Sequence, residues 1–257
     1  MTPYVNIDNP SNHWVGKKPC ATLVTWTPRP LETMLHAWEF AKGIKRKEPA
    51  TREELVSFFR RSITDWIPVG EFVHFTFECH FIPRALLDQM TRHRHWSFFV
   101  QSMRVADMSY FAKEGEYFVP DSASVDPNTK YWYDCAMSMA EHAYRKLVDA
   151  GVPREDARGV LPLHVQTKLV VGFNLRAFYE GVRKRTCLIL QQEYWAPLLN
   201  CMRQELVAKV DPELAFIFQP PCDMNNTCIT KIEQEERLSG RDPNPPCVKY
   251  DAKRNIS

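Results

Sequence analysis

Arg92-His93-Arg94-His95-Trp96-Ser97, followed by Gln101-Ser102-Met103-Arg104, gathers three arginines, two histidines and two serines into thirteen residues. Guanidinium groups stay charged and offer forked donors, so such a cluster suits a phosphate or an ionised ring oxygen. Read without context the stretch has a plainer alternative, since a run of charge is usually a solvated face. A third reading uses Trp96, Phe98 and Phe99 as stacking groups beside the cations, which would bind single-stranded RNA without catalysis.

The elements that must position this cluster follow from patterning. Ala21–Trp26 is a short strand candidate, and Thr27-Pro28-Arg29-Pro30 breaks it and caps a helix beginning near Leu31. A second helix is expected from about Thr51 to Ser62, with Thr51 as cap and Glu53 and Glu54 at its positive end. Phe72–Phe81 alternates apolar and polar residues, the period of a strand. Pro83 then opens a helix that carries Leu86, Leu87, Asp88 and Gln89 into the arginine cluster. A long helix is expected from about Tyr131 to Ala150, with Cys135, Met139, His142, Ala143 and Leu147 at helical spacing and Gly151 at its C-terminal cap. Residues 174–185 and 191–210 read as two more helices. The mix gives an α/β (α+β) domain, a central mixed sheet flanked by helices. Residues 1–20 read as a loose N-terminal arm, 21–218 as the folded domain that carries the cluster, and 219–257 as a loop-rich C-terminal tail.

Composition limits the function classes. With 257 residues the chain is long enough to bury a real core, and 44% hydrophobic and 25% charged residues are ordinary for a globular protein. A net charge of +2 supplies no bulk field toward nucleic acid, so anion recognition must be local and no nucleic-acid partner is expected. No apolar run approaches a membrane span, and the N-terminus lacks the basic start and apolar core of a signal peptide. The cytoplasm is the expected location, the host cytoplasm for a viral chain. The eight cysteines show no CxxC pairing and read as reduced thiols. Cys222, Cys228 and Cys247 lack a fourth ligand at zinc-like spacing, so no metal is expected.

The order Arg92-His93-Arg94, seven residues, then Ser102 resembles the signature of the flavin-dependent thymidylate synthases. The resemblance continues in order along the chain. Thr25–Leu31 is similar to the family's opening strand-turn-helix, and Phe118-Val119-Pro120 to the segment after its central motif. Ala157-Arg158 with Leu161-Pro162 is similar to its Ala-Arg-x-x-Leu-Pro stretch. Asn174-Leu175-Arg176 with Arg183-Lys184-Arg185 resembles its last block, and Gln191 and Glu193 fall where the family has Gln and Glu.

What the resemblance implies is a methyltransferase that moves a one-carbon unit from methylenetetrahydrofolate to C5 of a uracil nucleotide, dUMP to dTMP. Reduced FAD supplies the hydride and NADPH reduces the flavin, in a homotetramer with sites between subunits. By position, Gln89, Arg92, Ser102, Arg104, Arg158 and Arg185 look like the nucleotide site. Arg185 falls where the family contacts the uracil edge and favours ionisation at N3, and it stands with Ser102 as catalytic. Arg92, His93, Arg94, His95, Glu71, Asn174, Arg176 and Glu180 look like the flavin surroundings. The plainer reading of Arg158 and Arg176 is ion pairing with Glu155 and Glu180.

The chain departs from the family at several of these positions. Val100 replaces a carboxylate, Glu180 replaces Asn or His, and Asp65-Trp66-Ile67-Pro68-Val69-Gly70-Glu71 keeps only Pro68 and Glu71 of an upstream motif. These changes raise an alternative, a specialised pyrimidine modification such as dUMP hydroxymethylation or UMP methylation. Pro220-Pro221-Cys222 resembles the nucleophile of the flavin-free thymidylate synthases, but no other landmark of that family is present.

Overall fold

The computed structural model describes residues 17–186, 194–220 and 224. In chain order the elements are β1 (Cys20–Trp26), α1 (Pro30–Ala41), α2 (Arg52–Thr64), β2 (His74–Pro83), α3 (Arg84–Met90), β3 (Ser97–Val100), α4 (Asp121–Ser124), α5 (Pro127–Asp149), α6 (Arg154–Ala157), β4 (Gln166–Asn174), α7 (Leu175–Arg185) and α8 (Trp195–Lys209). Tighter 3-10 turns occupy Pro68–Phe72, Arg158–Val160 and Pro212–Phe218. Gln191 and Glu193, most of the N-terminal arm, and Cys222, Cys228 and Cys247 lie outside the described residues.

The strands form one sheet in the order β1-β2-β4-β3. β3 runs antiparallel to β4, with Ser97 opposite Gly172 and Val100 opposite Leu169. The N–H of Arg84 donates to the Val165 carbonyl, and that of Leu175 to Val73, so β2 and β4 also run in opposite senses. Thr27 meets His74 at one end of β1 and β2, and the Cys20 thiol meets the His80 backbone at the other. The α/β class is therefore as expected, while the pairing is antiparallel where a mixed sheet was expected. Periodicity marks a strand but not its direction; β4 inserts between β2 and β3 only after the whole excursion from residue 101 to 165.

The chain divides into two compact units, one of 17–24, 76–172 and 194–202, the other of 25–75, 173–186, 203–220 and 224. In the first, α5 packs Met137 and Tyr144 against Met103, Met108, Phe111, Ala157 and Val165. Its start is earlier than expected because Asp126 caps the N–H groups of Asn128 and Thr129, with Pro127 in the first turn. Its buried face is also different. Met137, Glu141 and Tyr144 point inward, while Met139 is 68% exposed and His142 lies at the surface. The reason is Glu141, whose carboxylate accepts from the backbone N–H groups of Ala112 (2.7 Å) and Lys113 (3.0 Å). A satisfied charge thus occupies a core position that hydrophobic counting assigns to the outside. Cys20, Cys79, Cys135 and Cys201 are free thiols, and burial pushes Cys79 far up, away from the reactive thiolate.

In the second unit Thr51 and Glu54 close a capping box at the start of α2. Arg52 grips Asp211 through two 2.6 Å bonds, and Asp211 in turn caps the Pro212–Phe218 turn at the Glu213 N–H. Phe178 stacks on Phe173 at 4.3 Å and meets Phe218 edge-on, which anchors the apolar face of α7.

Candidate active site

The arginine cluster is a turn, not a helix. α3 ends at Met90, and the N–H groups of Arg92 and His93 close back onto Gln89 and Met90. The chain then enters β3 at Ser97. Arg92, Arg94 and His95 are exposed, and among the described residues neither Arg92 nor Arg94 has an ion-pair partner. His93 turns inward, stacked on Trp96 at 4.7 Å and meeting Trp195 edge-on at 6.2 Å. The ring therefore serves as a wedge that sets the turn, leaving the two guanidiniums outward.

Gln89 is held at both ends of its amide. Its Nε2 donates to Tyr194 Oη at 2.9 Å, and its Oε1 accepts from Trp195 Nε1 at 2.8 Å. Tyr194 and Trp195 are 4% and 1% exposed, so the clamp is dry and the amide orientation is fixed. Tyr194 also meets His164 and Phe118 edge-on, and His164 hydrogen-bonds Tyr133. Burial pushes the His164 imidazole below its ordinary value, against the opposing hydrogen bond to the Phe118 backbone.

A cavity of about 530 Å³ opens beside α3, lined by Arg84, Asp88, Met103, Glu155 and Arg158. The expected pairing of Arg158 with Glu155 is replaced by another. Glu155 binds Arg104 at 2.6 Å, while Arg158 Nε donates to the Glu155 backbone carbonyl at 3.1 Å. Arg104 and Arg158 thus converge on one residue, and the Arg158 charge is left for the cavity. Ser102 Oγ accepts from the Arg104 N–H at 3.2 Å and shapes the turn that presents that arginine.

The remaining candidates belong to the second unit and form a network of their own. Asn174 caps α7, its Oδ1 accepting from the Ala177 N–H at 2.8 Å. Arg176 binds Glu71 at 2.8 Å and lies 3.7 Å from Glu180. The Arg176–Glu180 pair is as the plainer reading expects, and Glu71 joins it. Gly70 permits this approach, since a Cβ there would stand 3.3 Å from the Arg176 nitrogen. Arg185 ends α7 in a basic last turn with Arg183 and Lys184, and its Nε is out of solvent.

The unusual residues have structural roles. Trp66 sits at a left-handed φ of 56°, lies 5.3 Å from the Tyr179 ring and carries the Arg183 guanidinium over its face at 4.6 Å. Glu180 answers Arg176. Val100 pairs with Leu169 along β3. Four participants escaped the sequence reading: Arg84, Tyr194, Trp195 and Trp66. Only Trp66, flagged as a departure, carried any signal; the others depend on contacts between distant segments.

Residues 22–213 match the family model described as thymidylate synthase complementing protein. The chain belongs to that family. It is 37% identical over 178 residues to a flavin-dependent thymidylate synthase of Geobacter sulfurreducens, covering 66% of this chain and 74% of that one. It is 29% identical over 228 residues to a flavin-dependent thymidylate synthase of Clostridium tetani, covering 80% and 88%. Among solved structures it resembles the UMP/dUMP methylase PolB of Streptomyces cacaoi bound with 5-Br dUMP, with a TM-score of 0.60 and 20% identity over 79% of this chain and 95% of that one, a likeness of fold.

Proposed function

We propose that this chain is a flavin-dependent enzyme that modifies C5 of a uracil nucleotide, transferring a one-carbon unit to dUMP. The observation that carries the reading is the family match across residues 22–213, within which the cationic turn at 92–94 and the arginine-lined cavity both fall. In the first unit, Arg158, Arg104 and Ser102 recognise the 5′-phosphate, and the clamped Gln89 presents a fixed amide to the nucleotide. In the second, Arg185 contacts the uracil edge and stabilises the N3 anion, which raises electron density at C5 and makes that carbon the nucleophile.

The exposed guanidiniums of Arg92 and Arg94, which have no ion-pair partner among the described residues, fit the diphosphate of FAD, and the His93–Trp96 stack holds them in place. Arg176, already answered by Glu71 and Glu180, fits an anion less well; its role is to order the start of α7 together with Asn174. FAD, when bound, supplies the hydride that completes the new methyl group. Methylenetetrahydrofolate as carbon donor, NADPH as reductant of the flavin, a homotetramer with sites shared between subunits, and a cytoplasmic location complete the proposal. No helix among the described residues is long and apolar enough to cross a membrane.

The test is a visible spectrum of the purified protein with FAD, before and after dUMP. A flavin band that shifts on adding dUMP supports one pocket for both ligands. A protein that retains no flavin under any condition overturns the reading.

A further inference from the structure

Trp66 stands where a helix ordinarily ends on glycine. α2 closes in a Schellman-type turn: the Asp65 N–H donates to the Arg61 carbonyl at 2.8 Å, and the Ile67 N–H to the Ser62 carbonyl at 3.0 Å. The residue between them takes a φ of 56°, which glycine adopts freely and a bulky side chain adopts at a cost. Such a residue persists only where its surroundings hold it. Here the ring lies 5.3 Å from that of the buried Tyr179, and the Arg183 guanidinium sits 4.6 Å over its face.

Both partners belong to α7, the helix that ends at Arg185. The last turn of a helix frays unless something holds it. Arg183 is held on two sides. Its guanidinium rests on Trp66, and among the described residues no carboxylate pairs with it. Its backbone carbonyl accepts from Thr186 Oγ1 at 3.1 Å, and the buried Thr186 also donates its N–H to the Val182 carbonyl at 2.9 Å. Residues two apart on a helix point to roughly opposite sides. With Arg183 fixed on Trp66, the Arg185 side chain is therefore directed away from the end of α2. Trp66 falls in the stretch where the chain departs from its family's upstream motif, so the family match does not supply this contact.

We propose that Trp66 is a positioning residue: by holding Arg183 it fixes the end of α7 and aims Arg185 at the uracil edge. The proposal rests on the reading of Arg185 as the group that stabilises the N3 anion. A displacement of about 1 Å at such a group costs up to about a hundredfold in rate while the substrate still binds.

The experiment measures kcat and the KM for dUMP in the purified full-length protein loaded with FAD, for wild type, Trp66→Leu, Trp66→Phe, Trp66→Gly, Arg183→Met, the Trp66→Leu/Arg183→Met double variant and Arg185→Ala. Trp66→Leu and Arg183→Met should each lower kcat about tenfold to a hundredfold and leave the KM for dUMP within about threefold. The double variant should be no slower than the slower single one, because both remove the same contact. Trp66→Phe should recover part of the rate, since it keeps an aromatic face for the cation. Trp66→Gly should be as slow as Trp66→Leu even though glycine relieves the backbone. Arg183→Met reaches the contact from the half-exposed side, which keeps the test open if Trp66→Leu does not fold. A kcat within twofold of wild type in Trp66→Gly or Arg183→Met overturns the proposal, as does a double variant whose losses multiply. Equal loss of kcat and of dUMP affinity also overturns it, assigning Trp66 to packing. If Arg185→Ala is slow and Trp66→Leu is not, the proposal alone fails. If Arg185→Ala turns over at the wild-type rate, the reading of Arg185 fails and the proposal with it.

Discussion

Tyr194→Phe removes one oxygen and leaves the ring, so it isolates the outer half of the Gln89 clamp. The hydroxyl accepts from Gln89 Nε2 at 2.9 Å in a position that is 4% exposed. A buried hydrogen bond of this kind contributes about 1 kcal/mol net, and leaving the amide N–H without its acceptor raises the cost to roughly 1–3 kcal/mol. No cavity is created, so packing adds little. The remaining bond, from Trp195 Nε1 at 2.8 Å, no longer distinguishes one rotation of the amide plane from its neighbours. Stability falls by the same energy, a Tm decrease of about 2–4 °C per kcal/mol for a chain of this size. A double-mutant cycle with Gln89→Met supplies the control. In that background Tyr194→Phe should be nearly silent, giving a coupling energy of about 1 kcal/mol or more, read by denaturant titration. Additivity within about 0.5 kcal/mol would refute the clamp, because groups that share no interaction add.

Other perturbations address different elements. Thr51→Ala removes one arm of the capping box on α2 and should cost about 1 kcal/mol, measured as the shift of the denaturant midpoint. Burial pushes the Asp211 carboxyl up, and the Arg52 bonds and the Glu213 N–H outweigh it, leaving the group below its ordinary value. Its contribution is therefore fully present above the unfolded value near ~3.9 and is lost as pH falls through the lower folded value. Wild type should lose more stability than Arg52→Met across that acid window; parallel melting curves would count against the pair. Arg185→Ala should lower turnover far more than dUMP affinity, and turnover within twofold of wild type would remove that arginine from ring activation.

Much of the fold was legible because its signals are local. Pro30 after β1, the Thr51 cap, Pro83 before α3 and Asn174 before α7 each act within one turn of chain, and all four elements start close to where the pattern puts them. The buried face of α5 was not legible, because Glu141 is made a core residue by the N–H groups of Ala112 and Lys113, far away in sequence. The site divides in the same way. The motif order marked Gln89, Arg92, Ser102, Arg104 and Arg158 as residues of interest. Which charge answers which did not follow from it, since Glu155 pairs with Arg104 instead of its helical neighbour Arg158. Arg84, Tyr194 and Trp195 were silent for a related reason: an arginine in a helix and aromatics at the start of another are ordinary until the fold sets the arginine on the cavity and the aromatics against Gln89.

The most direct test of one-carbon transfer to C5 is the product itself. The purified protein is incubated with FAD, NADPH, methylenetetrahydrofolate and dUMP, and the nucleotide is analysed by mass spectrometry. The expected product carries a mass gain of one CH2, located at C5 of the ring, that disappears when either FAD or the folate is omitted. A gain of one CH2O would contradict methyl transfer, and dUMP recovered unchanged by a protein that holds flavin would contradict the enzymatic reading as a whole.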